Sequence, residues 1–301
     1  TFTDEILTVY QNIRSIKKHH FQVGYSHSIF NSDFSTQRTL TESSEKTEIA
    51  QKASLKSIFF EDRWSISKNL RLRLGIRNTY FSNSKSSYLE PRISATMKIT
   101  PTFTFEGALG KNNQFIHQFN SPLSTRGTQG TWLISQEKIP VVNSFSSQIS
   151  SHWKENNHEY SISLYQRSSE GHFNFEKYLS PIPILSEQNE SGNPYYTESQ
   201  GEEKINGAEV LIRRKNNLIN GWISYHFNET KYSFPDINNG KLFKADHDLR
   251  YEFKSVLITS ILNWDITTSW SYSSGRVFTH ENDINKTNDF QIIFDLGSRN
   301  K

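Results

Sequence analysis

The chain has 301 residues, of which 34% are apolar, and a mean hydropathy of -0.68. No stretch approaches the roughly 20 apolar residues of a helical membrane span, which excludes helical insertion. A formal charge of +3 from scattered basic and acidic residues argues against nucleic acid as a partner, and the lack of any cysteine removes disulfide scaffolds and thiolate metal centres.

In chain order, 5–16 is extended in character and ends at a polar turn of Lys17, Lys18, His19 and His20. Phe21, Val23 and Tyr25 then share one face of a strand, since successive strand side chains point to opposite sides. The Ser-, Thr- and Glu-rich run 31–48 reads as a solvated loop. The segment 49–66 returns through Ile58, Phe60 and Trp64 to a tight turn at Ser67, Lys68 and Asn69.

The strand at 70–77 is the clearest. Leu70, Leu72, Leu74 and Ile76 lie on one side, with Arg71, Arg73 and Arg77 on the other. After a polar tip at 83–87, Ile93, Ala95, Met97 and Ile99 oppose Arg92, Ser94, Thr96 and Lys98. Past Pro101, Phe103, Phe105, Gly107 and Leu109 oppose Thr104, Glu106 and Ala108. A long connection over 111–138 has the length of functional or irregular loops.

Beyond it, 145–153 and 160–166 read as a hairpin over Asn156 and Asn157, followed by a polar loop over 171–203. The segments 205–214 and 221–227 pair next, then 249–261 and 264–272 after a loop over 231–246, and the remainder reads as polar loop. Twelve strands result, with no helical pattern between them.

Two regularities set these strands in their surroundings. Turns alternate short and long, and Tyr10, Phe21, Trp64, Phe103, Trp153, Tyr160, Trp222 and Trp264 gather near the short-turn ends. Both are features of transmembrane β-barrels, whose apolar faces meet lipid, whose polar faces meet the lumen, and whose ends carry aromatic girdles. A soluble β-sandwich or secreted adhesin explains the alternation and neither asymmetry. The expectation is an all-β antiparallel transmembrane barrel segment, with short periplasmic turns and long extracellular loops.

Several segments resemble the barrel of TonB-dependent outer-membrane receptors of the kind typical of Bacteroidetes. They are Phe59-Phe60-Glu61-Asp62-Arg63-Trp64, the Leu72-Arg73-Leu74-Gly75-Ile76-Arg77 strand, Leu89-Glu90-Pro91-Arg92, and Ile205-Asn206-Gly207-Ala208-Glu209 followed by Gly221-Trp222-Ile223-Ser224-Tyr225. Asp236-Ile237-Asn238-Asn239-Gly240 and Ser274-Gly275-Arg276-Val277-Phe278 continue the order. The resemblance implies a 22-stranded barrel closed by an N-terminal plug, energised by TonB through that plug, and located in the outer membrane. It also implies a non-enzymatic function, with room for a surface lipoprotein lid. On this reading 1–301 is one partial barrel domain, without plug, first strands or closing strands. A passive porin or structural barrel subunit of an envelope complex is the alternative.

The lumen wall is expected to carry Arg71, Arg73, Arg77, Arg92, Lys98 and Glu106, a network suited to holding a plug. Ligand contacts are expected from loop residues His117, Phe119, Arg126, Trp132, Tyr195 and Tyr196, because exposed aromatics beside polar groups suit sugars, peptides or chelates. No cofactor or metal is expected. His19, His20, His117 and His172 lack convergent ligand spacing, and Asp246-His247-Asp248 reads as loop hydrogen bonding, with no nucleophile or oxyanion hole beside it. Asn189-Glu190-Ser191 and Asn228-Glu229-Thr230 match a glycosylation pattern with no bearing outside a eukaryotic secretory route.

Overall fold

The computed structural model of the protein describes residues 2–14, 17–40, 43–119, 131–136, 139–175, 198–216, 219–235, 238–245, 247–261, 264–275, 277–280, 283–287 and 291–300, with backbone only for 34–49, 119, 131, 173–175, 198–199 and 277–300. The strands are β1 (Phe2–Ile13), β2 (His19–Leu40), β3 (Ser43–Ser65), β4 (Leu70–Phe81), β5 (Ser86–Lys98) and β6 (Phe103–Gln114). Next come β7 (Ile116–Phe119), β8 (Thr131–Ile134), β9 (Val142–Glu155), β10 (His158–Phe175), β11 (Glu198–Lys215) and β12 (Ile219–Ser233). The chain continues with β13 (Phe243–Lys244), β14 (Tyr251–Ile261), β15 (Trp264–Ser273), β16 (Val277–His280), β17 (Asp283–Thr287) and β18 (Gln291–Asn300).

One 14-stranded sheet holds the chain together, running β1-β2-β3-β4-β5-β6-β9-β10-β11-β12-β14-β15-β18, with β13 on the side of β12. Every neighbouring pair is antiparallel, so hairpins suffice to connect them. Separate two-stranded hairpins, β7-β8 and β16-β17, form within the connections that follow β6 and β15.

All twelve expected strands are present. Three details differ from the sequence reading. The polar run 31–48 continues the β2-β3 ladder from Asn31↔Lys52 to Leu40↔Ser43 rather than looping out, because Ser and Thr pair as well as apolar residues where neither face must be dry. Gln291–Asn300, read as loop, pairs with β15. The connection 111–138, read as loop, carries β7 and β8, which pair with each other.

Side-chain parity carries across the whole ladder, and burial on its two faces is inverted relative to a water-soluble sheet. One face is apolar and open: Val9, Ile58, Ile76, Ile93, Leu109, Ile149, Leu164 and Ile223 are each between 42% and 64% exposed. The opposite face buries polar groups instead, among them Ser26, Ser57, Glu61, Thr79, Ser150, Ser169, Glu203 and Thr230. Hydroxyl pairs knit neighbouring strands there, Ser57 with Thr79 at 2.9 Å and Ser150 with Ser163 at 2.9 Å. Contiguous exposed apolar surface of this extent marks a surface made to be covered.

Aromatic rings cluster at the short-turn end of the apolar face. His19 stacks between Phe21 and Trp64 at 5.4 and 5.2 Å, and Trp153 lies 5.5 Å from Tyr160. Phe103, opposite Trp153, and Trp264 belong to the same belt. Tyr10 and Trp222 do not. Tyr10 faces Gly24 and Trp222 sits between Arg213 and Val256, positions of polar-face parity.

Candidate functional site

The polar face begins with its charges. Arg71, Arg73, Arg77, Arg92, Lys98 and Glu106 all have polar-face parity. Glu61, 5% exposed, is held by two guanidinium groups, with Arg63 Nε donating at 2.9 Å and Arg73 Nη2 at 2.8 Å. Such charge-assisted bonds satisfy a carboxylate that water no longer reaches. Across the ladder from Gly75 stands Arg92, whose side chain lies so close over it that an added Cβ would meet Arg92 Cγ at 2.9 Å. Gly207 does the same for Tyr165, whose ring would be 2.1 Å from an added Cβ. Long side chains thus lie flat along the wall.

Towards the short turns, Lys18, Lys68, Arg71 and Lys98 line a cleft of ≈ 530 Å³ with Ser65 and Ser67. Elsewhere on this face Arg73 and Arg167 each have a carboxylate partner. Among the described residues, these four cations form no ion pair.

At the long-loop end the connection between β6 and β9 folds back over the polar face. Phe115, Ile134 and Val141 from this connection pack with Phe30, Ala53 and Phe81 of β2, β3 and β4 in an apolar core, with Phe2 and Tyr88 against it. Polar ties fix the loop in place. Ser32 Oγ donates to the Trp132 carbonyl, Gln51 Oε1 accepts from the Ile134 amide at 3.0 Å, and Asn83 Nδ2 donates to the Ser135 carbonyl at 3.2 Å. Within the loop, Ser135 Oγ donates to the Pro140 carbonyl at 3.2 Å and meets His117 Nε2 at 2.9 Å. Burial, with the nearby His172, lowers the His117 imidazole to about 4, partly offset by the Pro140 carbonyl. His117 is therefore neutral at physiological pH.

Beside that loop stands a second cluster. Glu203, 3% exposed, accepts from Arg167 Nη2 at 2.9 Å and Ser169 Oγ at 3.4 Å. The Nε2 atoms of His172 and His247 both approach it to 3.7 Å. Tyr232 has its ring 5.8 Å from each of these imidazoles and packs on Phe234 and Phe243. The connection from β12 to β14 is pinned by Asp248, whose Oδ1 accepts from the Thr230 amide at 2.9 Å. Two inward-folded connections and the tops of β10 and β11 so gather His117, His172, His247, Glu203 and Tyr232 at one end of the polar face.

Of the expected ligand residues, His117 and Trp132 both lie in the β7-β8 hairpin but on its opposite faces, in the adjacent pairs His117↔Leu133 and Gln118↔Trp132. Trp132 remains 38% exposed, its ring tilted against Phe2 at 5.3 Å. Phe119 lies on the same hairpin, described by its backbone alone, while Arg126, Tyr195 and Tyr196 lie outside the described residues. Among the described residues no three His, Asp or Glu side chains are arranged to hold a metal. Asp248 bonds the strand backbone of β12 at Thr230 rather than loop backbone, and His247 lies against Glu203. The sequence reading missed Glu203 and Tyr232 and took His247 only as loop hydrogen bonding. The parity of Glu203 with Ile205 and Gly207 was visible, but only the fold of the β12-β14 connection brings His247 to it.

No protein-family model and no curated protein matches the sequence. Solved structures do match the fold. The ferric enterobactin receptor mutant R480A (PfeA) of Pseudomonas aeruginosa, in complex with enterobactin, aligns over 100% of this chain and 47% of its own, at a TM-score of 0.70 and 11% identity. For the FrpB iron transporter of Neisseria meningitidis the values are 100%, 48%, 0.70 and 10%, and for the copper transporter OprC 99%, 48%, 0.66 and 11%. The chain spans about half the length of these structures. Its structural neighbours are TonB-dependent outer-membrane receptors, transporters rather than enzymes, and its antiparallel sheet has the fold of their barrel portion.

Proposed function

We propose that this chain is barrel wall of an outer-membrane transporter of the TonB-dependent kind, which takes up a ligand at the cell surface without covalent chemistry. The inverted burial carries the reading: an apolar face open to lipid, a polar face holding its charges inside, and loops folded over one end of that face. In this setting the long-loop end is extracellular and the short turns are periplasmic. The basin of His117, His172, Glu203, Tyr232 and His247 stands at this extracellular end, with the more exposed Trp132 on the opposite side of the β7-β8 hairpin from His117. Its mix of rings, imidazoles and a buried carboxylate suits a chelate or other polar, ring-bearing molecule, in keeping with neighbours named for iron and copper transport. Phe119, Arg126, Tyr195 and Tyr196 are proposed to extend this basin.

Lys18, Lys68, Arg71 and Lys98, without an ion pair among the described residues, form with Arg77 and Arg92 a basic wall for an acidic plug, and TonB would act on that plug. A Bacteroidetes-type relationship and a surface lipoprotein lid belong to the same reading. Two measurements on the natural full-length protein test it together. Heat-modifiable gel migration of an outer-membrane fraction is expected, and accumulation of the ligand should require TonB and an energised inner membrane. Uptake that persists without TonB would leave a passive barrel, the reading favoured by the inward-folded β6-β9 connection, which could narrow an open channel.

A further inference from the structure

The apolar face has a hollow between β5 and β6. Ala95 and Gly107 stand directly opposite each other on β5 and β6, and a Cβ built on Gly107 meets nothing within 4 Å. Ile93, Leu109, Ile149 and Leu164, between 42% and 49% exposed, rise around them. The resulting cavity of ≈ 550 Å³ is almost wholly apolar, within the range of about 300–1,000 Å³ typical of small-ligand sites. At its long-loop rim the lining turns polar with Ser147 and Gln166. Lys111 lies four residues beyond Gly107 on the same side of β6, about 14 Å at ~3.4 Å per residue. It stands opposite Phe145, which is 55% exposed, and makes no ion pair among the described residues.

Resting on the membrane reading above, we propose that this hollow seats one acyl chain of a phosphate-headed bilayer lipid whose phosphate meets Lys111. Three features select this occupant. The hollow is bounded on both sides by branched side chains, a shape for a single flexible hydrocarbon chain rather than the broad contact a partner strand needs. The polar rim offers the Ser147 hydroxyl and the Gln166 amide at the level where a lipid's ester groups follow its chain. The ammonium of Lys111, beyond that rim and beside an aromatic ring, is complementary to an anionic headgroup, and a lysine at a membrane interface keeps its charge in the wet layer.

The test uses the natural full-length protein in vesicles containing phosphatidylglycerol, extracted with mild detergent and weighed by native mass spectrometry. Wild type is expected to retain one phosphatidylglycerol through detergent washing. Gly107→Phe, which fills the hollow, should lose it, and Lys111→Gln should lower its retention about tenfold. Gly107→Ala should keep it, because an added Cβ has open space. Should Gly107→Phe fail to fold, Lys111→Gln carries the test alone. Equal retention by wild type, Gly107→Phe and Lys111→Gln overturns this proposal while the membrane reading stands. A wild-type protein that does not float with vesicles in a density gradient overturns both.

Discussion

Ile149 and Gln148 are adjacent on β9 and point to opposite faces, so the same substitution at each asks which face meets lipid. Ile149 is 49% exposed on the apolar face, six residues from the end of β9, well inside the apolar band. If water covered that face, Ile149→Arg would be a surface change worth within about 0.5 kcal/mol. In a bilayer an arginine near the midplane of a barrel's lipid face costs about 2–4 kcal/mol, falling towards the interfaces. Taking about 3 kcal/mol for this depth, the folding equilibrium should shift by a factor of about 150. Gln148→Arg places its charge on the polar face and gives up one 3.0 Å bond to Ser150 Oγ, so its cost should stay near 0.5–1 kcal/mol. Urea titration in lipid vesicles, read by heat-modifiable gel migration, measures both. Equal midpoints for the two variants, or a neutral Ile149→Arg, would refute the assignment of faces.

Further outcomes follow from the same structure. Gly207→Ala drives a Cβ into the Tyr165 ring and should destabilise by about 1–3 kcal/mol in the same titration, with Tyr165→Ala restoring part of the loss in the double variant. His117 binds its proton more weakly when folded than the ordinary imidazole near 6.5. The unfolded loop therefore takes up more protons between about pH 6.5 and 4, and docking of the β6-β9 connection should weaken as pH falls through that window, by up to about 3 kcal/mol. Hydrogen exchange of the Leu133 and Ile134 amides against pH checks this, and His117→Gln should flatten the profile. Glu203→Gln removes the charge that Arg167, His172 and His247 share. It should weaken ligand binding more than global stability, a split visible by comparing binding isotherms with unfolding midpoints.

How much of this could be read beforehand divides along one physical line. Period-two alternation is a local property, so 70–77, Phe103 to Leu109 and Tyr160 to Leu164 declared their faces, and Arg71, Arg73 and Glu106 fall where parity put them. Strand ends are set by the partner strand instead. The serines and threonines of 31–48 looked like loop because nothing apolar marked them, yet the β2-β3 register carries them to Leu40↔Ser43. Trp222 misled for the opposite reason, a girdle residue type at a girdle height that parity turns to the wrong face. The basin was the least legible. His117 was noticed, but Glu203 and His247 meet only because two connections fold inward, and no spacing along the chain encodes that.

The core of Phe30, Phe81, Phe115, Ile134 and Val141 has a further consequence. This contiguous apolar nucleus belongs half to the sheet and half to a connection, so the loop cannot loosen by degrees. Moving it away wets several rings and aliphatic side chains together and strands the Trp132 and Ser135 carbonyls that Ser32 and Asn83 now serve. The connection is thereby tied to the sheet as one packed unit, so displacing it uncovers both sides of the nucleus at once.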